Sequence, residues 1–350
     1  MVIFTYFVLF FLVLRFSVTL FNFLSNPKLP SFRPAFTDYI SIVITVKNGE
    51  SNLLNLLQSI IVQEYRNVEV IIYHSALDSS DVKLVEAVCE KDARFRLKRG
   101  VPGDYSWVPQ EIKGDYLLFL DSNTAIQKSF LNSLIYRLKV FKIAALSIVP
   151  NQVFESFIQK LVLPLSDFVL LNLVPLRLIK LVRSPTFVTV NNSCCLFVDA
   201  GLYKQHHWQE KVDGSKETGD LLKIVKQDRF KAEVLLANKL IYQVSKISRS
   251  ELFQTATETL RLNFGSMLIE FIYLVLVVLG PLIVMIGFDF YIIVLPLGLI
   301  FLSRVMISFM TGQSPVLNIL LHPFQMLMML VLFVKGVQTH LLTGIKQNNA

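Results

Sequence analysis

Two patterns of apolar residues divide this chain. Near both ends, long apolar runs carry almost no charge, whereas between them short apolar runs alternate with stretches of helical spacing. Ser41-Ile42-Val43-Ile44-Thr45-Val46 is a β-rich run, after which Leu53, Leu54, Leu57, Ile60 and Ile61 recur as one helix face. Val68 to Tyr73 predicts a second strand, Asp81 to Asp92 the next helix and Tyr116 to Leu120 a later strand. Strands that are apolar throughout are covered on both faces, and strand–helix alternation implies a parallel sheet between helices. The expected fold class is α/β, with a mostly parallel sheet.

The ends read as membrane segments. Val2 to Leu24, interrupted by Arg15 and a few small polar residues, supplies the ~20 residues that a span needs. It has no basic leading region and no small-residue cleavage site, so a retained anchor is expected. Lys28 and Arg33 follow it and only the amino terminus precedes it, which places the central domain in the cytoplasm. Met267 to Phe288 and Tyr291 to Met310 are two further spans, with Arg304 close enough to an end to snorkel. Pro323 to Leu342 is a third apolar segment, and both crossing and lying in the interface are open to it. Phe157 to Arg183 is apolar but broken by Pro164, Asp167 and Pro175, as in a kinked interfacial helix or a buried helix pair. The organisation expected is an anchor over 1–25, a sheet domain over 38–262 that includes the 157–183 helix, and a membrane region over 265–343 with two or three helices.

Composition agrees. Hydrophobic residues make up 53% of the 350 and the mean hydropathy is +0.54, above the ~45–50% apolar usage of soluble domains. The net charge of +8 comes without a basic stripe interleaved with aromatics, so nucleic acid is not an expected partner and an anionic leaflet is. Cys89, Cys194 and Cys195 form no CxxC pair and suit reduced thiols, while His206-His207 beside Trp208 is a weak metal signal. The chain has no GxGxxG and no GxxxxGK[ST], which removes the dinucleotide and P-loop readings. A transporter is disfavoured by few spans without paired intramembrane charges.

The chemistry-bearing residues stand at strand ends. Asp121 follows the run Tyr116–Leu120, where open α/β sheets place ligand sites, although a turn residue would look the same. Glu217-Thr218-Gly219-Asp220 is a second acidic stretch, in which Asp220 could simply cap a helix beginning at Leu221.

Taken in order, "SIVITVKNGESNLLNLLQSI", "VEVIIYHSALDSSD", "GDYLLFLDSNTAI", "VTVNNSCCLFVDAGLY", "ETGDLLKIVK" and "LLHPF" resemble the membrane-bound family 2 glycosyltransferases of GT-A fold, in particular the subgroup with the ceramide and carotenoid enzymes. The resemblance implies a nucleotide-sugar donor, a lipid or membrane-embedded acceptor, a divalent metal (Mg or Mn) and transfer with inversion. It assigns Asn48 and Glu50 to the nucleotide-contacting loop and sets His74 where the family has a base-pairing aspartate. It makes Asp121 and Asn123 the metal pair, with an amide in place of the second acid. The family's Glu-Asp pair, whose Asp is the base, corresponds to Glu217-Thr218, so Glu217 or Asp220 must serve instead. The family's QxxRW-type motif has no counterpart; Arg249 and Arg261 are near, without the tryptophan. Two functions follow from this: sugar transfer, or a catalytically impaired relative acting as a binding or scaffold partner in a lipid or polysaccharide pathway.

Overall fold

A computed structural model describes residues 2–33, 36–46, 52–74, 79–101, 103–182, 194–211, 219–244, 248–287 and 290–348. Asn48, Glu50, Glu217 and Thr218 lie outside the described residues. In chain order the elements are α1 (Val2–Ser25), β1 (Ile40–Val46), α2 (Leu53–Ile61), β2 (Val68–His74), α3 (Ser79–Lys91), β3 (Phe95–Arg99), α4 (Val108–Glu111), β4 (Tyr116–Asp121), β5 (Thr124–Ile126), α5 (Phe130–Phe141), β6 (Ala145–Val149) and β7 (Asn151–Val153). They continue with α6 (Phe157–Val162), α7 (Pro164–Leu173), α8 (Leu176–Ile179), β8 (Cys195–Asp199), α9 (Ala200–Gln205), α10 (Trp208–Lys211), α11 (Gly219–Gln227), β9 (Ala232–Leu236) and β10 (Ile241–Val244). Last come α12 (Arg249–Phe264), α13 (Met267–Leu274), a π-helical turn Val275–Leu279, α14 (Gly280–Gly287), α15 (Phe290–Thr311), α16 (Pro315–Leu320) and α17 (His322–Asn348).

These elements form two compact units. One holds residues 27–153 and 176–246, the other 1–26, 154–175 and 247–350. The segments 154–175 and 247–262, expected within the sheet domain, thus group with the helices.

The first unit is built on a seven-stranded sheet of order β3-β2-β1-β4-β8-β6-β9, with β8 antiparallel to both neighbours and the other pairs parallel. Alternate side chains divide between its faces. Ile42, Ile44, Val70, Ile72, Leu118 and Leu120 join a buried core with α2 and α5. On the other face the Phe119 ring lies 5.6 Å from that of Tyr105 and 6.1 Å from that of Tyr203. Each large apolar side chain so buried contributes ~1.5–3 kcal/mol. The α2 stripe differs from the expected one: Leu53, Leu56, Leu57 and Ile60 are buried, whereas Leu54 is 37% exposed and Ile61 only partly buried. Spacings of three, four and seven from Leu53 keep one face inward, and Leu54 is a quarter-turn away from it. A small sheet, β5-β10-β7, completes this unit.

In the helical unit, the predicted break at Pro164 is present. Helix α6 opens on a capping box between Ser156 and Gln159, and α7 restarts with Pro164 in its first turn, where the missing N–H costs nothing. The last carbonyls of a helix need partners. Those of Leu171 and Val174 accept from the amide of Asn22 on α1 at 3.0 and 2.8 Å, and Thr19 Oγ1 donates to Asn172 Oδ1 at 2.9 Å. Helix α12 ends at Gly265, whose φ of 69° suits glycine, and the chain bends by 96° into the next helix. Among the described residues two helices are long and apolar enough to cross a membrane, Ile3–Ser25 and Ile293–Thr311, or up to three if the bent pair 249–264 and 267–283 is one span. The segment 323–342 lies within α17, which is not among these candidates.

Candidate functional site

The parallel strands bring their carboxyl ends to one edge of the sheet. In the ladder, Thr45 of β1 stands opposite Asp121 of β4, Val46 opposite His74 of β2, and His74 opposite Arg99 of β3. Asp121 and His74, far apart in sequence, are therefore brought to the same edge. Asp121 closes a tight turn: its Oδ1 accepts from the Asn123 backbone N–H at 2.8 Å, its carbonyl accepts from Thr124 Oγ1 at 2.7 Å, and its own N–H donates to the Cys194 carbonyl at 3.0 Å. The aspartate is thus both a turn residue and a partly exposed carboxylate at the strand end.

Sequence reasoning missed what fixes this turn. The Asn123 carbonyl accepts from Val244 N–H at 2.9 Å, and the Val244 carbonyl accepts from Asn52 Nδ2 at 2.9 Å. The start of α2, the end of β10 and the acidic turn are tied by this chain of bonds. Between them Ser122 is fully buried, and its Oγ makes no hydrogen bond among the described residues. Such a group costs roughly 1–3 kcal/mol.

His74 is buried, and its pKa is lowered from the ordinary histidine value, first by loss of hydration and then by the positive charge of Arg99. On the other face of β2 runs an aromatic wall. The Tyr73 ring is 5.1 Å from that of Trp107 and 6.4 Å from that of Tyr105, its hydroxyl donates to the Val101 carbonyl at 2.7 Å, and Lys98 Nζ sits 4.6 Å above the Trp107 ring. Gly100 makes room for this wall, since a Cβ there would fall 2.2 Å from the Tyr73 hydroxyl. One of just two tryptophans, Trp107 in the run "DYSWVPQE", was the available signal.

Asp220 lies in the first turn of α11 and accepts at Oδ1 from Lys223 Nζ at 2.8 Å, an ion pair within the helix that replaces the expected cap before Leu221. Helix α11 packs on β6 and β9, and a short link returns it into β9. Those strands run parallel to β4, so the start of α11 is at the carboxyl-end side of the sheet, the side of Asp121. The histidine pair divides: His206 stacks on Trp208 at 5.8 Å, and the exposed His207 pairs with Glu210. Among the described residues no group of three His, Cys, Asp or Glu side chains could hold a metal. Cys194 and Cys195 are buried, neither is in a disulfide among the described residues, and burial pushes the Cys195 thiol far up.

Residues 41–161, which carry β1 to β7, match the family described as Glycosyl transferase family 2. The chain is 25% identical over 101 residues to the glycosyltransferase GlyA of Streptococcus pneumoniae, and 28% identical over 92 residues to an uncharacterized glycosyltransferase of Haemophilus influenzae. These matches take in 28% and 25% of this chain but only 14% and 37% of the relatives' lengths. In three dimensions it is similar to the mannosyltransferase PcManGT from Pyrobaculum calidifontis, solved in complex with GDP-Man and Mn2+. The TM-score is 0.54 at 10% identity, covering 95% of this chain and 99% of that one. The architecture is GT-A-like.

Proposed function

We propose that the sheet unit transfers a sugar from a nucleotide-diphospho-sugar to a lipid or membrane-embedded acceptor, with inversion. One observation carries this reading: within the stretch matching family 2, His74 and Asp121 share the carboxyl-end edge of β2, β1 and β4, where α/β sheets take ligands. Asn48 and Glu50, which follow β1 in sequence, contact the nucleotide, and His74 offers an uncharged ring nitrogen to the base in place of a carboxylate. Asp121, with Asn123 two residues on in the same turn, has the hard-oxygen chemistry for a divalent cation, which needs one or two carboxylates when substrate phosphates complete its shell. Such a cation, when bound, neutralises the diphosphate as it leaves.

This chain's own residues carry the proton. The acceptor hydroxyl gives its proton to Glu217 as its oxygen bonds to the anomeric carbon and the carbon–phosphate-oxygen bond breaks. Asp220 is the alternate base; Lys223 already engages its Oδ1. The apolar helices α1 and α15 favour a lipid acceptor and a multi-pass protein, and Lys28 and Arg33 after α1 favour a cytoplasmic sheet unit. The ceramide and carotenoid subgroup supplies the first acceptors to try.

A second reading, a relative that binds nucleotide without transfer, is favoured by Thr218 at the position of the family's base. Both are tested on the purified full chain with UDP-glucose, UDP-GlcNAc and GDP-mannose, with Mg or Mn and with chelator, in the presence of membrane lipid. Transfer that falls by about 10²-fold in Glu217→Gln, with donor affinity kept, supports the enzyme. Nucleotide binding without transfer supports the second reading, and no nucleotide binding removes both.

A further inference from the structure

Helices α1 and α15, both long and apolar enough to cross a membrane, pack on each other, and each buries one arginine inside the helical unit. Arg15 is 5% exposed and Arg304 is 1% exposed. Both face one ring: the guanidinium carbon of Arg304 is 3.6 Å from the centroid of Phe168 on α7, and that of Arg15 is 5.0 Å from it. Arg15 also lies 5.2 Å from the Tyr273 ring and 6.0 Å from that of Phe11. Arg304 Nε donates to His322 Nδ1 at 2.8 Å. That nitrogen must be unprotonated to accept, so a bond of this kind brings no negative charge from the imidazole's Nδ1 side.

The charge is left unbalanced. Among the described residues neither arginine has a carboxylate within ion-pair distance: the buried Asp167 accepts from Gln313 at 2.8 Å, and the buried Glu270 pairs with neither arginine. Among the described residues, Arg15 Nε and Arg304 Nη2 are buried without a hydrogen-bond partner. A guanidinium does not shed its proton, and a charge among apolar helices is costly unless it is paired. Attraction to a ring face offsets part of that cost and does not satisfy Arg15 Nε or Arg304 Nη2.

We infer that Arg15 and Arg304 form a binding site for a phosphate monoester within the helical unit. Two guanidinium forks match the two charges that a phosphate monoester approaches near neutrality, and Arg is the side chain suited to bidentate phosphate recognition. The group can arrive on a lipid headgroup or as free phosphate. The inference concerns the helical unit and stands apart from the glycosyltransferase reading.

The test is thermal unfolding of the full chain in neutral detergent with phosphatidic acid, with inorganic phosphate against chloride at equal ionic strength, and with diacylglycerol as the phosphate-free lipid. A saturable rise in Tm with phosphatidic acid, beyond that with diacylglycerol, supports the site and names a lipid source; a rise with inorganic phosphate names a free one. Arg15→Met and Arg304→Met should each weaken the response about tenfold in apparent affinity, and the double variant should abolish it. No rise with either phosphate probe overturns the site, as does a response unchanged in the double variant. Should the variants fail to fold, the wild-type comparison decides alone: equal shifts with phosphatidic acid and diacylglycerol, and none with phosphate, overturn it.

Discussion

Glu69 offers a direct separation of stability from chemistry. It sits at the start of β2, 5% exposed, about 16 Å along the strand from His74 at ~3.3 Å per residue. Its Oε1 accepts from Ser41 Oγ at 2.5 Å and from the Lys113 N–H at 2.7 Å, and its Oε2 accepts from Arg96 Nη2 at 3.0 Å. The Ser41 hydroxyl in turn accepts from the Gly114 N–H at 2.8 Å. Glu69→Ala removes three bonds. The ion pair adds little, because the Arg96 side chain is 41% exposed. An orphaned Lys113 N–H costs roughly 1–3 kcal/mol, and the loss of the bond from Ser41 roughly 1 kcal/mol more. The sum is about 2–4 kcal/mol. Glu69→Gln keeps an acceptor for Ser41 and Lys113 and turns a donor toward Arg96, so it should cost about 1 kcal/mol.

For a domain of 150–250 residues, ~1 kcal/mol moves Tm by about 2–4 °C. Thermal unfolding of the full chain in detergent should therefore fall by about 4–16 °C in Glu69→Ala and by about 2–4 °C in Glu69→Gln. Nucleotide binding per folded molecule should stay unchanged in both, since the acid lies at the end of the sheet away from Asp121. Equal Tm losses for the two variants would refute the hydrogen-bond argument, and altered nucleotide affinity in Glu69→Gln would refute the placement of the site.

Further changes probe other elements. Asp121→Asn keeps an Oδ1 acceptor for the Asn123 N–H, so Tm should move by less than ~2 °C while metal-dependent nucleotide binding weakens about tenfold or more, read by calorimetry with and without Mg. Gly100→Ala drives a Cβ into the Tyr73 ring and should lower both Tm and the quenching of Trp107 fluorescence by nucleotide, whereas unchanged values would show that the ring moves aside freely. Because the folded His74 has a lowered pKa, its contribution to stability is complete above the ~6.5 of the unfolded chain and is lost as pH falls through the folded value; Tm against pH should slope less steeply below ~6.5 in His74→Asn. Breaking the buried Glu233 pair, which receives Arg137 at 2.7 and 2.5 Å, by Glu233→Ala should cost about 3–5 kcal/mol, and Glu233→Met with Arg137→Met should recover most of it in denaturant unfolding.

The sheet was legible because β1, β2 and β4 are buried on both faces and so are apolar without interruption. Prolines marked α7 because Pro164 can stand only in a first turn of that helix. Of the candidate site residues, His74 and Asp121 were legible as strand ends, because each closes such a run. Asn52 was not, since the Val244 carbonyl it meets lies 192 residues away and leaves no local trace. The Leu54 and Leu56 exchange on α2 failed for a different reason: a run of four leucines around Asn55 fits two helical phases, and only packing on the sheet selects one. The 96° bend after α12 was hidden because one glycine can end a helix or be tolerated in it.

Asn22 has a practical bearing on how the chain can be shortened. Cutting after residue 26 to obtain the sheet unit without its first apolar helix would strip α7 of the amide that satisfies Leu171 and Val174, leaving one buried and one part-buried carbonyl bare in the remaining helix end. Residues 154–175 would then be a sticky remnant inserted between β7 and α8. A version reduced to the sheet unit therefore requires three excisions, with α1, the 154–175 insertion and the helices from residue 247 onward leaving together and a short polar bridge joining Val153 to Leu176.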